Sequence, residues 1–319
     1  MRITLITPSL ASARNGNSVT ALRWARILKE LGHRVVMEQT YDGKGCDLMI
    51  ALHALRSHES IRLFKEMHPD LPLVVALTGT DLYRDIRINP NAQRSLELAT
   101  RLIVLQPMGM VELPKHLRAK TRVIYQSAER VRRRSTPAKD GCFNVCVISH
   151  LRPEKDPLRT AMAARELPDS SRLRVLHIGR PLSKEMDRRL RAEIARNPRF
   201  RWLGELPHWK TRRILADSQL LSVTSRMEGS SNALCEAIAS SVPVVASKIP
   251  GLVGTLGKKY PGYFPVGETR ELARLLQRIE SNPKFYRRLK AHCARLSPLV
   301  DPKREITAWK KLLNELAPG

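Results

Sequence analysis

The segment TSRMEGSSNALCEAIASSVPVVAS, Thr224 to Ser247, runs from the end of an apolar stretch through a polar turn into a helix and then a second apolar stretch. Glu228 and Glu236 are separated by seven residues, and Gly229, Ser230, Ser231 and Asn232 follow the first of them. Gly229 permits a close backbone approach, and the next three residues are good helix caps. The first-turn amides of such a helix can hold a diphosphate. A carboxylate accepts hydrogen bonds from vicinal hydroxyls, so one glutamate is a candidate to grip a sugar on one side of a diphosphate and the other a ribose. The competing reading is that both carboxylates complement the helix dipole.

The surrounding sequence sets the fold. FNVCVIS, RVLHIG, FRWLG, QLLSVT and VPVVAS read as successive strands divided by helical or loop stretches. The first half has the same rhythm in ITLIT, HRVVME, DLMIALH, PLVVALT, RLIVLQ and TRVIYQ, and the helix NSVTALRWARILKEL puts Ala21, Trp24, Ala25 and Leu28 on one face. Near-continuous apolar strands alternating with helices predict an α/β chain of parallel sheets covered on both faces. The periodicity lapses in SAERVRRRSTPAKDG, where charge, Pro and Gly mark a linker. Residues 1–130 are thus expected as an N-terminal Rossmann-like domain, 131–141 as the linker, 142–297 as a C-terminal Rossmann-like domain and 298–319 as a closing helix. Leu272, Leu275, Leu276 and Ile279 form one apolar stripe, and Trp309, Leu312, Leu313 and Leu316 another; both read as core.

At 319 residues the chain is long enough for two domains. It has no run near the ~18 apolar residues that a membrane span needs. MRITLITPSLASA outlines a signal peptide, but Thr4, Thr7 and Pro8 interrupt its short apolar run, which reads as a first strand. Five scattered cysteines point to a reducing cytoplasm, and Cys142 and Cys146 to buried thiols rather than a metal site. G-x-G-x-x-G, Walker and D-x-D patterns are absent, which argues against a dehydrogenase, a phosphate-loop ATPase and a diphosphate-bound cation. Lys plus Arg outnumber Asp plus Glu by 56 to 30, a net charge of +26 that favours anionic partners.

With its E-x7-E spacing, EGSSNALCEAIASSVPVVA resembles the donor site of the large family of nucleotide-sugar glycosyltransferases with the GT-B fold, with Ser241 where that family has glycine. ISHLRPEKDPL resembles the family's Gly-Arg-Leu-x-x-x-Lys block, with Lys155 at the lysine and His150 at the arginine, whose contact with the donor diphosphate Arg152 can take over. HIGRPL, containing Gly179 and Arg180, and RWLGELPHWKTRRILADSQLL correspond to further blocks. The resemblance implies two Rossmann-like domains with sheets facing across a cleft, a closing helix that returns to the first domain, and a UDP-sugar donor used without a metal or other cofactor. NGNSVTALRWARIL, LMIALHALRSHESI and LTGTDLYRDI are similar to a narrower group, the selenosugar synthases of selenoneine biosynthesis. For this chain, that implies transfer from UDP-N-acetylglucosamine to selenophosphate, with a selenophosphate synthetase as a candidate partner.

In that reading the first domain serves the acceptor. Gly16 and Asn17 follow the first strand, His53 and Arg56 follow DLMIAL, and Thr78, Gly79, Thr80 and Asp81 follow PLVVAL. The family's usual histidine is replaced by Thr78, leaving His53 as the candidate base or phosphate donor, with Arg56, Arg84 and Arg87 as candidates for an acceptor oxyanion. Two other classes compete. One is a UDP-sugar O-glycosyltransferase acting on a lipid or polysaccharide at a membrane surface. The other is a basic nucleic-acid binder, disfavoured by 5% aromatic residues and the absence of a recognition motif.

Overall fold

The structure, a computed structural model, describes residues 1–8, 16–133 and 141–316. Most of the expected linker, 134–140, lies outside the described residues.

The first sheet holds β1 (Arg2–Ile6), β2 (Arg34–Glu38), β3 (Leu48–Leu52), β4 (Leu73–Leu77), β5 (Arg101–Val104) and β6 (Thr121–Val123) in the order β2-β1-β3-β4-β5-β6. Every pairing is parallel. LMIAL of β3 and LVVAL of β4 are buried along their whole length, as helices on both faces require. Ile3 of β1 stands opposite both Val35 of β2 and Leu48 of β3. The strand order reverses there, so the loops after β1 and β3 flank a topological switch point.

The second sheet holds β7 (Phe143–Ile148), β8 (Leu173–Ile178), β9 (Phe200–Trp202), β10 (Leu220–Val223), β11 (Val244–Ser247) and β12 (Tyr263–Phe264) in the order β12-β11-β10-β7-β8-β9. These pairings are also all parallel. The switch point lies between β7 and β10. The loop after β7 is SHLRPEK, and the loop after β10 begins the E-x7-E segment.

The chain divides into two compact units. The first comprises Met1–Ser127, Glu228–Asn232 and the closing helix Pro302–Leu316; the second comprises Ala128–Met227 and Ala233–Asp301. Ala128–Arg133, which the sequence reading gives to the first domain and the linker, therefore fall in the second unit. Their backbone is tied there: the Ala128 amide donates to the Val300 carbonyl at 3.0 Å, and the Val131 amide to Ser240 Oγ at 3.3 Å. Glu228–Asn232, placed by sequence in the C-terminal domain, pack with the first unit.

In the first unit the closing helix completes the core. Trp309 meets Trp24 edge-on with ring centroids 4.9 Å apart. Glu305 is buried beside them and accepts from Trp24 Nε1 at 2.7 Å, Arg23 Nε at 3.0 Å and the Ser127 amide at 2.9 Å. The second unit's core includes Cys146, Cys235 and Cys293, and burial pushes the Cys146 thiol up to about 12. Among the described residues no helix is long and apolar enough to cross a membrane.

Candidate functional site

At the second sheet's switch point the loop after β7 turns at Pro153–Lys155 into Asp156, whose φ of 43° lies in the left-handed region. Thr224 Oγ1, just beyond β10, reaches the carbonyls of Lys155 (3.1 Å) and Asp156 (2.8 Å), and the Arg226 amide donates to the Glu154 carbonyl at 2.8 Å. These bonds stitch the two loops together and fix the backbone that carries Arg152 and Lys155. Both side-chain positions are half-buried, as suits cations that meet a ligand at a strand's carboxyl end. No carboxylate among the described residues pairs with the Arg152 guanidinium.

Beside them Gly179 ends β8 with a φ of 144°, and a Cβ there would stand 2.0 Å from the Ser149 carbonyl oxygen. Only glycine lets the two strand ends approach so closely. His150 Nδ1 accepts from the Arg180 amide at 3.3 Å, while the Arg180 guanidinium turns to Glu205 at 3.3 Å. The half-buried ring of His150 is thus held by backbone, and Arg180 serves the site through its main chain. Under this loop His177 is fully buried: Nε2–H donates to the Ser149 carbonyl at 3.0 Å and Nδ1 has no partner. Desolvation pushes its pKa down to about 4.

Glu236 lies in the helix Asn232–Ala239, buried, with Oε1 2.7 Å from Nε2 of the exposed His208 at the start of the helix His208–Asp217. Sequence reasoning did not single out His208. It lies 28 residues before its partner, and the pairing follows from β10 bringing two helices together rather than from any local spacing.

In the first unit the residues around Glu228–Asn232 are closely knit. A Cβ on Gly229 would stand 2.4 Å from the Thr78 carbonyl oxygen, so that position needs glycine, while one on Gly79 would meet the Gly229 nitrogen at a tight 3.1 Å. Asn232 Nδ2 donates to the Gly16 carbonyl at 3.3 Å, and Asn232 Oδ1 accepts from Arg23 Nη1 at 3.0 Å. Glu228 and Ser231 are buried, and Ser230 and Asn17 half-buried. Arg23 is a second residue missed by sequence; on an amphipathic helix it reads as solvent-facing charge.

His53 follows β3 with a φ of 74°, unusual for a side chain with a Cβ. Its ring is buried: Nδ1 accepts from the Arg56 amide at 3.3 Å, so in the neutral ring the proton is on Nε2, which lies 3.0 Å from Thr80 Oγ1. Asp81, fully buried, accepts from the Ala54 amide (3.0 Å), the Thr78 amide (2.8 Å) and Thr78 Oγ1 (2.8 Å). It ties the loop after β3 to the loop after β4, where Asp81–Asp85 form one turn of π-helix. Asp85 Oδ1 accepts from Arg84 Nε at 2.7 Å, while its buried Oδ2 has no hydrogen-bond partner among the described residues and lies 3.8 Å from His53 Nε2. His53 and Asp81 therefore act inside the loop framework. Arg56 is exposed, and Arg87 pairs with Glu112. Among the described residues no group of His, Cys, Asp and Glu is arranged to hold a metal.

Two doubly wound parallel sheets of six strands each, with helices, define the GT-B fold. The Anabaena protein HepE, solved in complex with UDP and glucose, superposes with a TM-score of 0.78 at 18% identity, over 99% of this chain and 100% of that one. Sucrose-phosphate synthase from Thermosynechococcus elongatus gives 0.78 at 17%, over 99% and 98%. Glycosyltransferase 1 domain-containing protein 1 of Xenopus tropicalis is 23% identical over 89% of each chain. The family described as Glycosyl transferases group 1 matches residues 129–295, more than half of the chain. The protein belongs to that family and is a glycosyltransferase.

Proposed function

We propose that the protein transfers a sugar from a UDP-sugar, with UDP-N-acetylglucosamine as donor and selenophosphate as acceptor. The observation that supports the donor half is the stitched pair of loops at the β7/β10 switch point, carrying Arg152 and Lys155, together with Glu236 oriented by His208. HepE, of the same fold, has been crystallised with UDP-glucose. In this reading Glu236 accepts hydrogen bonds from the ribose, Glu228 from the transferred sugar, and Lys155 with Arg152 takes up charge on the departing diphosphate without a metal. The acceptor half rests on the resemblance of the first unit's loops to selenosugar synthases. Selenium forms a bond to the anomeric carbon as the bond from that carbon to the phosphate oxygen breaks, its electron pair leaving with UDP. The immediate product is a sugar–selenium–phosphoryl adduct, which one water molecule can cleave to inorganic phosphate.

The test is an anaerobic incubation of enzyme, UDP-N-acetylglucosamine and selenophosphate, read by mass spectrometry for UDP and for a sugar bearing the selenium isotope pattern. Activity towards a lipid or sugar hydroxyl, with selenophosphate ignored, would overturn the acceptor and keep the donor. Calorimetry of UDP binding tests the donor separately. Glu236→Ala should weaken UDP by about 1.5 to 3 kcal/mol, and unchanged affinity would remove the ribose assignment.

A further inference from the structure

A cavity of about 650 Å³ opens in the second unit at the amino ends of its strands, the opposite end of the sheet from Lys155. Its floor is Ser218, just before β10, and Val242 and Pro243, just before β11. Two elements wall it. One is the strap Arg130–Arg133, whose backbone is anchored by Ser240 Oγ on the Val131 amide (3.3 Å) and by Arg213 Nη1 on the Arg132 carbonyl (2.8 Å). The other is the helix Pro283–Arg295, pinned by Tyr286 Oη donating to the Gln219 carbonyl at 2.9 Å.

Among the described residues the lining contains five cations, Arg130, Arg132, Arg133, Arg287 and Lys290, and no carboxylate. Among the described residues none of the five forms an ion pair with Asp or Glu. Elsewhere some of the chain's arginines are paired along their helices, as in Arg188 with Glu185 and Arg191 with Asp187, whereas these five cations share one concave wall. A space of this volume is about 11 Å across, comparable with the Debye length of about 8 Å in physiological salt, so the five charges repel one another with incomplete screening. Two helices, His208–Asp217 and Asn232–Ala239, point their carboxyl ends this way, which favours a neighbouring cation or two. That does not account for Arg287 and Lys290, which sit in the middle of their own helix.

We infer that this cavity is a second anion site, taking a compact ligand with three or more phosphoryl charges. Its volume suits a small molecule, guanidinium groups make forked contacts with phosphate oxygens, and the serine hydroxyls on its wall and floor add donors. The chemistry is shared by a free polyphosphate and by a multiply phosphorylated lipid headgroup. The site does not depend on the donor or acceptor identities.

Inorganic triphosphate titrated by calorimetry into the full chain at 0.15 M NaCl tests it, using wild type, Lys155→Ala and the double variant Arg287→Ala/Lys290→Ala. The expected result is one saturable site, with Kd unchanged within twofold in Lys155→Ala and raised at least tenfold in the double variant. Loss in Lys155→Ala with retention in the double variant would put the anion at the strands' carboxyl ends and overturn the inference, as would equal binding by all three. Arg132→Gln, an exposed change with no bearing on the core, should raise Kd severalfold and guards against misfolding of the double variant. Vesicles containing phosphatidylinositol bisphosphate separate the sources. Co-sedimentation that triphosphate competes away, and that the double variant lacks, identifies a headgroup; triphosphate binding without co-sedimentation identifies a free anion.

Discussion

In the loops after β3 and β4 the polar side chains bond to one another and to nearby amides: Asp81 to the Thr78 hydroxyl and the Ala54 amide, His53 to Thr80 Oγ1 and the Arg56 amide, Arg84 to Asp85. At the second sheet's switch point Thr224 Oγ1 bonds to the main chain of the facing loop and His150 Nδ1 to the Arg180 amide, and Arg152, Lys155 and His150 are half-buried. A buried network satisfied from within stiffens its loops and costs much to break. A backbone-held loop whose cations are half-buried keeps them within reach of a ligand. The same strand order has thus produced a closely bonded frame in one unit and, under the proposed function, a receptor in the other. Substitutions in the first should be read in stability, and in the second in turnover.

The largest departure between the two should come from Lys155→Ala, which under the proposed function removes charge opposite a leaving group. A fall of about 10² to 10³-fold in kcat is expected, with an unchanged melting temperature; an equal loss of stability would break the comparison. Asp81→Ala strands a buried Ala54 amide and a half-buried Thr78 amide and should cost about 3 kcal/mol of unfolding free energy, measured by urea denaturation. Activity lost at full stability would move Asp81 into the receptor class.

His177 sharpens the contrast through pH. Its folded pKa, about 4, lies below the ordinary 6.5, so between those values the unfolded chain binds more protons and stability falls as pH falls. The loss should approach about 3 kcal/mol below pH 4. His177→Phe should flatten that part of the stability profile, and an unchanged slope would show that other groups govern it. The smallest effect belongs to Arg56→Ala, exposed at the frame's edge: a severalfold rise in acceptor KM, at most about 1 kcal/mol, with no change in melting temperature or UDP affinity.

Much of this architecture was legible in sequence because parallel strands buried on both faces are runs of apolar residues, a signature plain in β3 and β4 and weaker at the edge strand β9, where Arg201 and Trp202 are exposed. The two-residue edge strand β12 carries none, and the π-helical turn at Asp81–Asp85 depends on tertiary contacts. At the site, loops at strand ends announced Arg152, Lys155 and Glu236. His208 went unread because its partner is distant in sequence, and the buried Glu305 because a carboxylate on an amphipathic helix reads as solvated. The strain at His53 was equally invisible, since no local residue pattern demands a positive φ there.

The junction of Trp24, Glu305 and Trp309 also dictates an order of events during synthesis. Trp24 and Glu305 are 281 residues apart, and at roughly 5 to 20 residues per second a ribosome needs about 14 to 56 s to deliver the second after the first. Throughout that interval the first sheet waits with one wall of its core missing, while the second unit is translated in full. The nascent chain therefore passes through a stage in which its later-made half can fold before its earlier-made half is complete, exposing the unfilled Trp24 surface to chaperones.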